Sequence, residues 1–423
     1  MFTKIKVLSA EQLRQKSTAN LLTLKAAISE GLVANGPVFV IGSWQSGDFC
    51  HIYAAAVRHY SVCPQIPFSM LVLQAAGFDD AFLIKDTEFA VGEVAKVWNC
   101  DFTLLHTDAM TKERAVDLLG KLLNGDRTKN EPPPENTRSP FEATFWAETA
   151  VKAMSQGQPL TEVWAALARK EDSDYYRAYA KACQSFMEEY VRRFGYSHGR
   201  EKFVCLWART SGAPTVSRPL GGANPQYDSS ERGNHQLCEA IWSASLGLKA
   251  IFTVGAGFDA RTTGLPYVFD LGAFWRRIEG IQGRFQENGF FDFMTAFYDC
   301  DVVHVGMKSG GMDALGLWGQ KVVFVDGLRA PDVTKGRVAA WATEHIKPVE
   351  ISQMPTPLGK AIEDDRAAAS QRGERGFGTS FSRSAEVERM QDLAGTKADG
   401  FLPEDLNKIV AAVRGMLTQS LVV

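Results

Sequence analysis

Short apolar runs alternate with amphipathic stretches along most of this chain. "GPVFVIGS" at 36–43 predicts a buried strand, and "DFCHIYAAAVRHY" at 48–60 predicts the helix that follows it. "PFSMLVLQAAG" and "DAFLIKD" predict two more short strands, and "EFAVGEVAKVWNC" a helix. "DFTLLHTD" then predicts a strand and "TKERAVDLLGKLLNG" a helix. Strands and helices alternating at this spacing imply βαβ units and a mainly parallel sheet. The first 35 residues carry the pattern of one or two amphipathic helices instead.

The pattern breaks at 125–140. "GDRTKNEPPPENTRSP" holds three successive prolines among polar residues and reads as a loop without regular structure. From about 141 to 196 every stretch has helical periodicity, which predicts a helical insertion at the end of the first α/β region, 1–196. A second α/β run occupies 200–350. Its strands are "KFVCLWART", "KAIFTVGAG", "YVFDLG", "DVVHVG" and "KVVFVDG", and its helices include "NHQLCEAIWSASLG" and "GMDALGLWG". Residues 351–423 read as a polar, Gly- and Arg-rich loop segment followed by one closing helix, "LPEDLNKIVAAVRGMLTQSL", expected to cross back onto the first domain. The fold class expected is α/β, with two Rossmann-like domains facing a cleft.

Composition narrows the setting. The chain has 423 residues, 45% hydrophobic and 22% charged, which suits an ordinary globular protein with real cores. A net charge of −3 gives no electrostatic reason to expect nucleic acid. No apolar run reaches the roughly 18–20 residues that cross a bilayer, and "MFTKIKVLSAEQLRQKSTANLL" lacks the apolar core of a secretory signal. Seven scattered cysteines without a CxxC point to reduced thiols in the cytoplasm and to no structural metal.

In parallel sheets ligands bind beyond the carboxyl ends of the strands, so the strand-to-helix turns are where chemistry belongs. In "GSWQSGDF", Gly47 allows a tight turn and Asp48 opens a helix. Asp48 is either a helix cap or a carboxylate placed to take a proton from a hydroxyl. His51, one helical turn on, reads as a half-buried helix residue. In "HVGMKSGGMDALGLWG", Lys308, Ser309, Gly310 and Gly311 form a turn into a helix. Backbone N–H groups there can hold phosphate, or the glycines serve packing alone. "FTVGAGFDAR" ends a strand at Gly255 and Gly257. Ala260 stands where a dinucleotide fingerprint needs its third glycine. Arg209 closes the strand "VCLWAR", and Arg218 and Arg232 follow. A cleft arginine suits a diphosphate, while most loop arginines are merely solvated. His304 alternates with valines and reads as core.

Taken together these turns resemble the ADP-heptose heptosyltransferases, a GT-B family. "GSWQSGDFCHIYAAAV" is similar to that family's opening turn at Gly47, Asp48 and His51. "MKSGGMDALGLWGQKVVFVDGLRAP" keeps the register of its later signature at Ser309, Gly310, Ala314 and Gly327. Lys308 replaces the family's aspartate and Asp313 its histidine. The resemblance implies GT-B architecture and inverting, metal-independent transfer from a nucleotide-sugar, with no other cofactor. It makes Asp48 the base, with Ser46, Gly47 and His51 beside the acceptor. Arg209, Gly255, Gly257, Lys308–Gly311 and Asp313 would line the donor site. The acceptor, a glycan or a protein, and the assembly state, homo-oligomers included, stay open. So do a non-catalytic GT-B-like binding protein and a sugar-nucleotide epimerase. "DD" at 79–80 and 364–365 reads as solvated charge.

Overall fold

The computed structural model describes residues 6–8, 36–45, 48–52, 55–56, 68–76, 102–107, 109–140, 142, 174–195, 200–209, 227–255, 258, 264–277, 284–317, 319–328, 344–374, 376 and 384–418. The chain divides into two compact units, Met1–Tyr176 with Gln282–Asn288, and Arg177–Ile281 with Gly289–Val423. The strand expected in "DAFLIKD", the helix in "EFAVGEVAKVWNC" and most of the helical insertion lie outside the described residues.

The first unit is a five-stranded sheet. Its strands are β1 (Lys6–Leu8), β2 (Val38–Gly42), β3 (Phe68–Leu73), β4 (Phe102–His106) and β5 (Thr137–Arg138), in the order β1-β4-β3-β2-β5. All neighbours are parallel, with Val38 opposite Ser69 and Phe68 opposite Phe102. "VFVIG" and "FSMLVL" are mainly apolar because both faces of these central strands are covered, and every residue in them is buried. Helix α1 (Lys112–Asn124) is capped by Thr111 and lays Ala115, Leu118 and Leu122 against Val38, Val40, Leu71 and Leu73. Two expectations are corrected. Residues 6–8 form an edge strand on β4 where helix was expected. The proline-rich loop contains β5, held by Thr137 Oγ1 donating to the Leu122 carbonyl at 2.9 Å.

The second unit is a six-stranded parallel sheet, β11-β10-β9-β6-β7-β8. Its strands are β6 (Glu201–Ala208), β7 (Leu248–Gly255), β8 (Val268–Asp270), β9 (Cys300–Met307), β10 (Lys321–Gly327) and β11 (Ile346–Ile351). The helices in chain order are α2 (Asp174–Phe194), α3 (Glu231–Ser243), α4 (Leu271–Trp275), α5 (Arg284–Tyr298), α6 (Gly310–Leu317), α7 (Pro357–Gln371), α8 (Ser384–Gly395) and α9 (Pro403–Thr418). The chain runs β6 to β7 to β8 in one direction, crosses back, then runs β9 to β10 to β11 in the other. The order therefore reverses between β6 and β9.

Strand periodicity splits the core into two faces. Val204, Leu206, Ile251, Val303, Val305, Val323 and Val325 pack against Leu237 and Ile241 of α3 and Ile409, Val413 and Met416 of α9. The opposite face is aromatic. Phe186 of α2 meets Phe252, Phe269, Phe274 and Phe290 edge-on at 5.2–5.6 Å, and Phe203 stacks on Phe252 at 4.7 Å.

The carboxyl-terminal expectations are corrected in three ways. Helix α9 belongs to the second unit, whose core its apolar face completes. Asp405, fully buried, anchors it by accepting from the Ser352 N–H at 2.9 Å and from Lys408 Nζ at 2.9 Å. The polar segment holds two helices. Thr356 caps α7, and the apolar face of α7 is little more than Ala361, Ile362 and Ala369, too slight to stand out from its charges. Asp365 is not solvated but is 7% exposed and paired with Arg389 at 2.7 Å. Strand β11, "IKPVEI", escaped notice because Pro348 interrupts it, which an edge strand tolerates.

His304 is core, as its valine neighbours imply. Trp207 Nε1 donates to His304 Nδ1 at 3.0 Å, so the imidazole is neutral with its proton on Nε2. Burial lowers His304 to about 3 and His345 to about 4. Unfolded histidines take up protons near pH 6.5 whereas these do not, so stability is complete above that pH and is lost as pH falls through 6.5 toward 4. At pH 5 each should cost about 2 kcal/mol relative to pH 7.5. Urea unfolding at the two pH values measures this, and His304→Gln should recover about half of the loss. An undiminished loss in His304→Gln would show that His304 is not the group taking up protons.

Candidate functional site

The carboxyl edge of the second sheet is assembled around its reversal. Arg209 leaves β6 and Lys308 leaves β9, neighbouring strands with Trp207 opposite Gly306. Arg209 Nη1 donates to the Lys308 carbonyl at 2.8 Å, so one side chain ties the two turns. The Lys308 peptide is held from its other side by its N–H donating to the Val325 carbonyl at 2.9 Å. Arg209 is itself fixed. Its backbone N–H donates to Ser229 Oγ at 2.9 Å, its Nε lies 3.5 Å from Asp228 Oδ1, and its guanidinium sits 5.7 Å from the Tyr227 ring centre. Burial lowers the proton affinity of Arg209, and Asp228, Tyr227 and Asp313 oppose that effect. Asp313 thus acts electrostatically on the guanidinium from α6.

Gly255 closes β7 beside this bridge. Its φ is +110°, and a Cβ there would run into the Ala208 carbonyl oxygen. Only glycine lets β7 end this close to β6. Ser309 begins α6, with Oγ accepting from the Met312 N–H at 3.4 Å and its carbonyl accepting from Asp313 at 3.0 Å. Lys308 is 6% exposed and Asp313 is fully buried. Arg209, Gly255, Lys308, Ser309, Gly310, Gly311 and Asp313, expected from sequence as donor-binding residues, therefore gather at one sheet edge. Gly257 and Arg218 lie outside the described residues, and Arg232 is exposed in the first turn of α3.

The first unit has a comparable edge. Ser43 Oγ accepts from the Ala75 N–H at 3.0 Å, and Thr107 Oγ1 accepts from the Gln74 N–H at 3.0 Å. These hydroxyls join the turns after β2, β3 and β4. Asp48 is partly buried at the head of the helical turn 49–52. Its N–H donates to the Gln45 carbonyl at 2.8 Å, and its Oδ2 accepts from Gln45 Nε2 at 3.3 Å. Among the described residues its carboxylate makes no capping bond to that turn. His51 is fully buried and offers no surface to an acceptor. Ser46 and Gly47 lie outside the described residues.

The chain matches no protein-family model and no curated protein. Among solved structures it is similar to ADP-heptose LPS heptosyltransferase II from E. coli. The identity is 11%, the match covers 85% of this chain and 98% of that one, and the TM-score is 0.33. At that score the likeness adds nothing to the argument from strands and turns.

Sequence reasoning missed three partners. Tyr227 and Asp228 brace Arg209 from a distant part of the chain, with no periodic signal between them. Gln45 carried a signal: an amide three residues before a carboxylate across a turn. Among the described residues no group of three His, Cys, Asp or Glu is placed to hold a metal ion, and no helix is long and apolar enough to cross a membrane. The five described cysteines, Cys50, Cys183, Cys205, Cys238 and Cys300, are buried.

Arg209→Lys keeps the charge but loses the planar fork that serves the Lys308 carbonyl and Asp228 together. It should lower the stability of the second unit by about 1–3 kcal/mol in urea unfolding, the usual worth of charge-assisted hydrogen bonds. Wild-type stability would show that the bridge does not brace the edge.

Proposed function

We propose that this chain is a nucleotide-sugar-dependent glycosyltransferase of GT-B type, inverting and metal-independent, acting on a hydroxyl or other nucleophile of a glycan or protein. The observation that carries the reading is the Arg209–Lys308 bridge at the strand reversal of the second unit. A reversal in a parallel sheet is where nucleotides bind, and Lys308 immediately precedes Ser309 and Gly310, which keep the register of the family's later signature. The leaving diphosphate would lie over this edge, with the N–H groups at the start of α6 and the Lys308 ammonium meeting its growing charge. Asp48 would take the acceptor proton as the nucleophile attacks the anomeric carbon. Among the described residues its carboxylate makes no capping bond, which favours the base over the cap. Seven scattered cysteines without a CxxC suit a reducing, cytoplasmic setting.

One observation favours a second reading, a non-catalytic binding protein. Asp313 is fully buried where the family has a histidine. The two readings part at Asp48→Asn, which keeps the shape and loses the proton acceptor. As base, Asp48 is worth roughly 10²–10⁴ in turnover, with nucleoside diphosphate affinity and melting temperature near wild type. The measurement is release of nucleotide from the nucleotide-sugar that most raises the melting temperature in a panel. Undiminished turnover in Asp48→Asn would refute the mechanism. Stabilisation by nucleotides without turnover in the wild type would favour the binding protein.

A further inference from the structure

Gln45 is bonded on both sides. Toward β2, its N–H donates to the Gly42 carbonyl at 2.9 Å, and its side-chain Oε1 accepts from the Gly42 N–H at 2.9 Å. Toward the helix, its carbonyl accepts from the Asp48 N–H at 2.8 Å, and its Nε2 donates to Asp48 Oδ2 at 3.3 Å. The amide thus spans from the last residue of a central strand to the carboxylate. Gly42 is a fixed anchor, paired in register with Leu73, and the Trp44 indole fills the space where a Cβ on Gly42 would stand.

These contacts dictate which way the amide faces. A flipped amide would point Nε2 at the Gly42 N–H, donor against donor, and Oε1 at the Asp48 carboxylate, acceptor against acceptor. No other uncharged side chain of this length offers an acceptor at one end and a donor at the other. Oδ2 of Asp48 is therefore engaged, and Oδ1 makes no hydrogen bond among the described residues. The bond at 3.3 Å is long and stabilises little. Its consequence is orientation, since a carboxylate on an unrestrained side chain samples several rotamers.

We propose that Gln45 is the positioning residue for Asp48, holding Oδ2 so that Oδ1 faces the proton to be taken. The inference rests on the reading of Asp48 as base and adds the group that orients it. A group acting this way changes kcat and leaves donor binding alone, because misplacing a reacting atom by about 1 Å costs up to roughly 10²-fold in rate.

Two substitutions separate orientation from turn structure. Gln45→Glu keeps an acceptor for the Gly42 N–H and replaces the donor to Asp48 by a carboxylate. Gln45→Met loses both. Both should lower kcat by roughly ten- to a hundredfold, with the KM for nucleotide-sugar and the nucleoside diphosphate dissociation constant unchanged. Gln45→Glu should keep a melting temperature near wild type. Wild-type kcat in Gln45→Glu, with Asp48→Asn inactive, overturns the inference and leaves the proposed function standing. Full activity in Asp48→Asn overturns both. A third measurement needs no substrate: in the full chain, the Gln45 side-chain amide NMR signal, located by its loss in Gln45→Met, should move in Asp48→Ala. An unmoved signal overturns the inference.

Discussion

Every pairing between strands described in this chain is parallel. A parallel pair cannot be closed by a hairpin, so each strand must be reached by a crossover, and all carboxyl ends of a sheet fall on one edge. That constraint concentrates the strand-to-helix turns of each unit where their N–H groups and side chains converge. It also sets the sequence pattern. Covered on both faces, the central strands are mainly apolar.

Within the second unit the same constraint creates a gap. At such a reversal the connections from neighbouring strands run in opposite directions, which opens space above their carboxyl ends. Arg209 spans it. The guanidinium is partly desolvated, and Asp228 and Asp313 offset that cost. A half-buried arginine with two carboxylates near it is a fixed strut more than a loose anion trap. Its effect on a phosphate would pass largely through the Lys308 peptide, which it holds in place.

What was legible in the sequence follows from where the signal is local. β2, β3, β9 and β10 were legible because burial on two faces makes each of them mainly apolar, despite polar residues such as Ser69 and His304. The turns were legible because glycines at 255, 310 and 311 and the serine at 309 punctuate them. β1 was not, since three residues carry no period and its pairing with β4 is a tertiary fact. α7 was not, because a helix lying over the edge of a domain needs only a thin apolar stripe. The destination of α9 was invisible because amphipathicity says that a face will be buried but not against what. At the site, Asp48, Arg209 and Lys308 were legible as chemical types at turn positions, whereas Tyr227 and Asp228 meet Arg209 only through the fold.

The two edges differ in how their polar groups are held. At the second unit's edge, charge is set against charge: Arg209 is balanced by carboxylates, and its contacts are shared among Asp228, the Tyr227 ring and a carbonyl. Such a cluster is stable only as a set, since removing one member leaves a partly buried charge uncompensated. At the first unit's edge the carboxylate of Asp48 faces a neutral amide, and its other oxygen makes no hydrogen bond among the described residues. A cation in place of Gln45 would bind Asp48 more tightly and make it a poorer proton acceptor. A neutral donor orients the carboxylate without neutralising it. That choice of partner, an amide where a salt bridge would be stronger, fits a group whose charge is needed for something other than holding the fold.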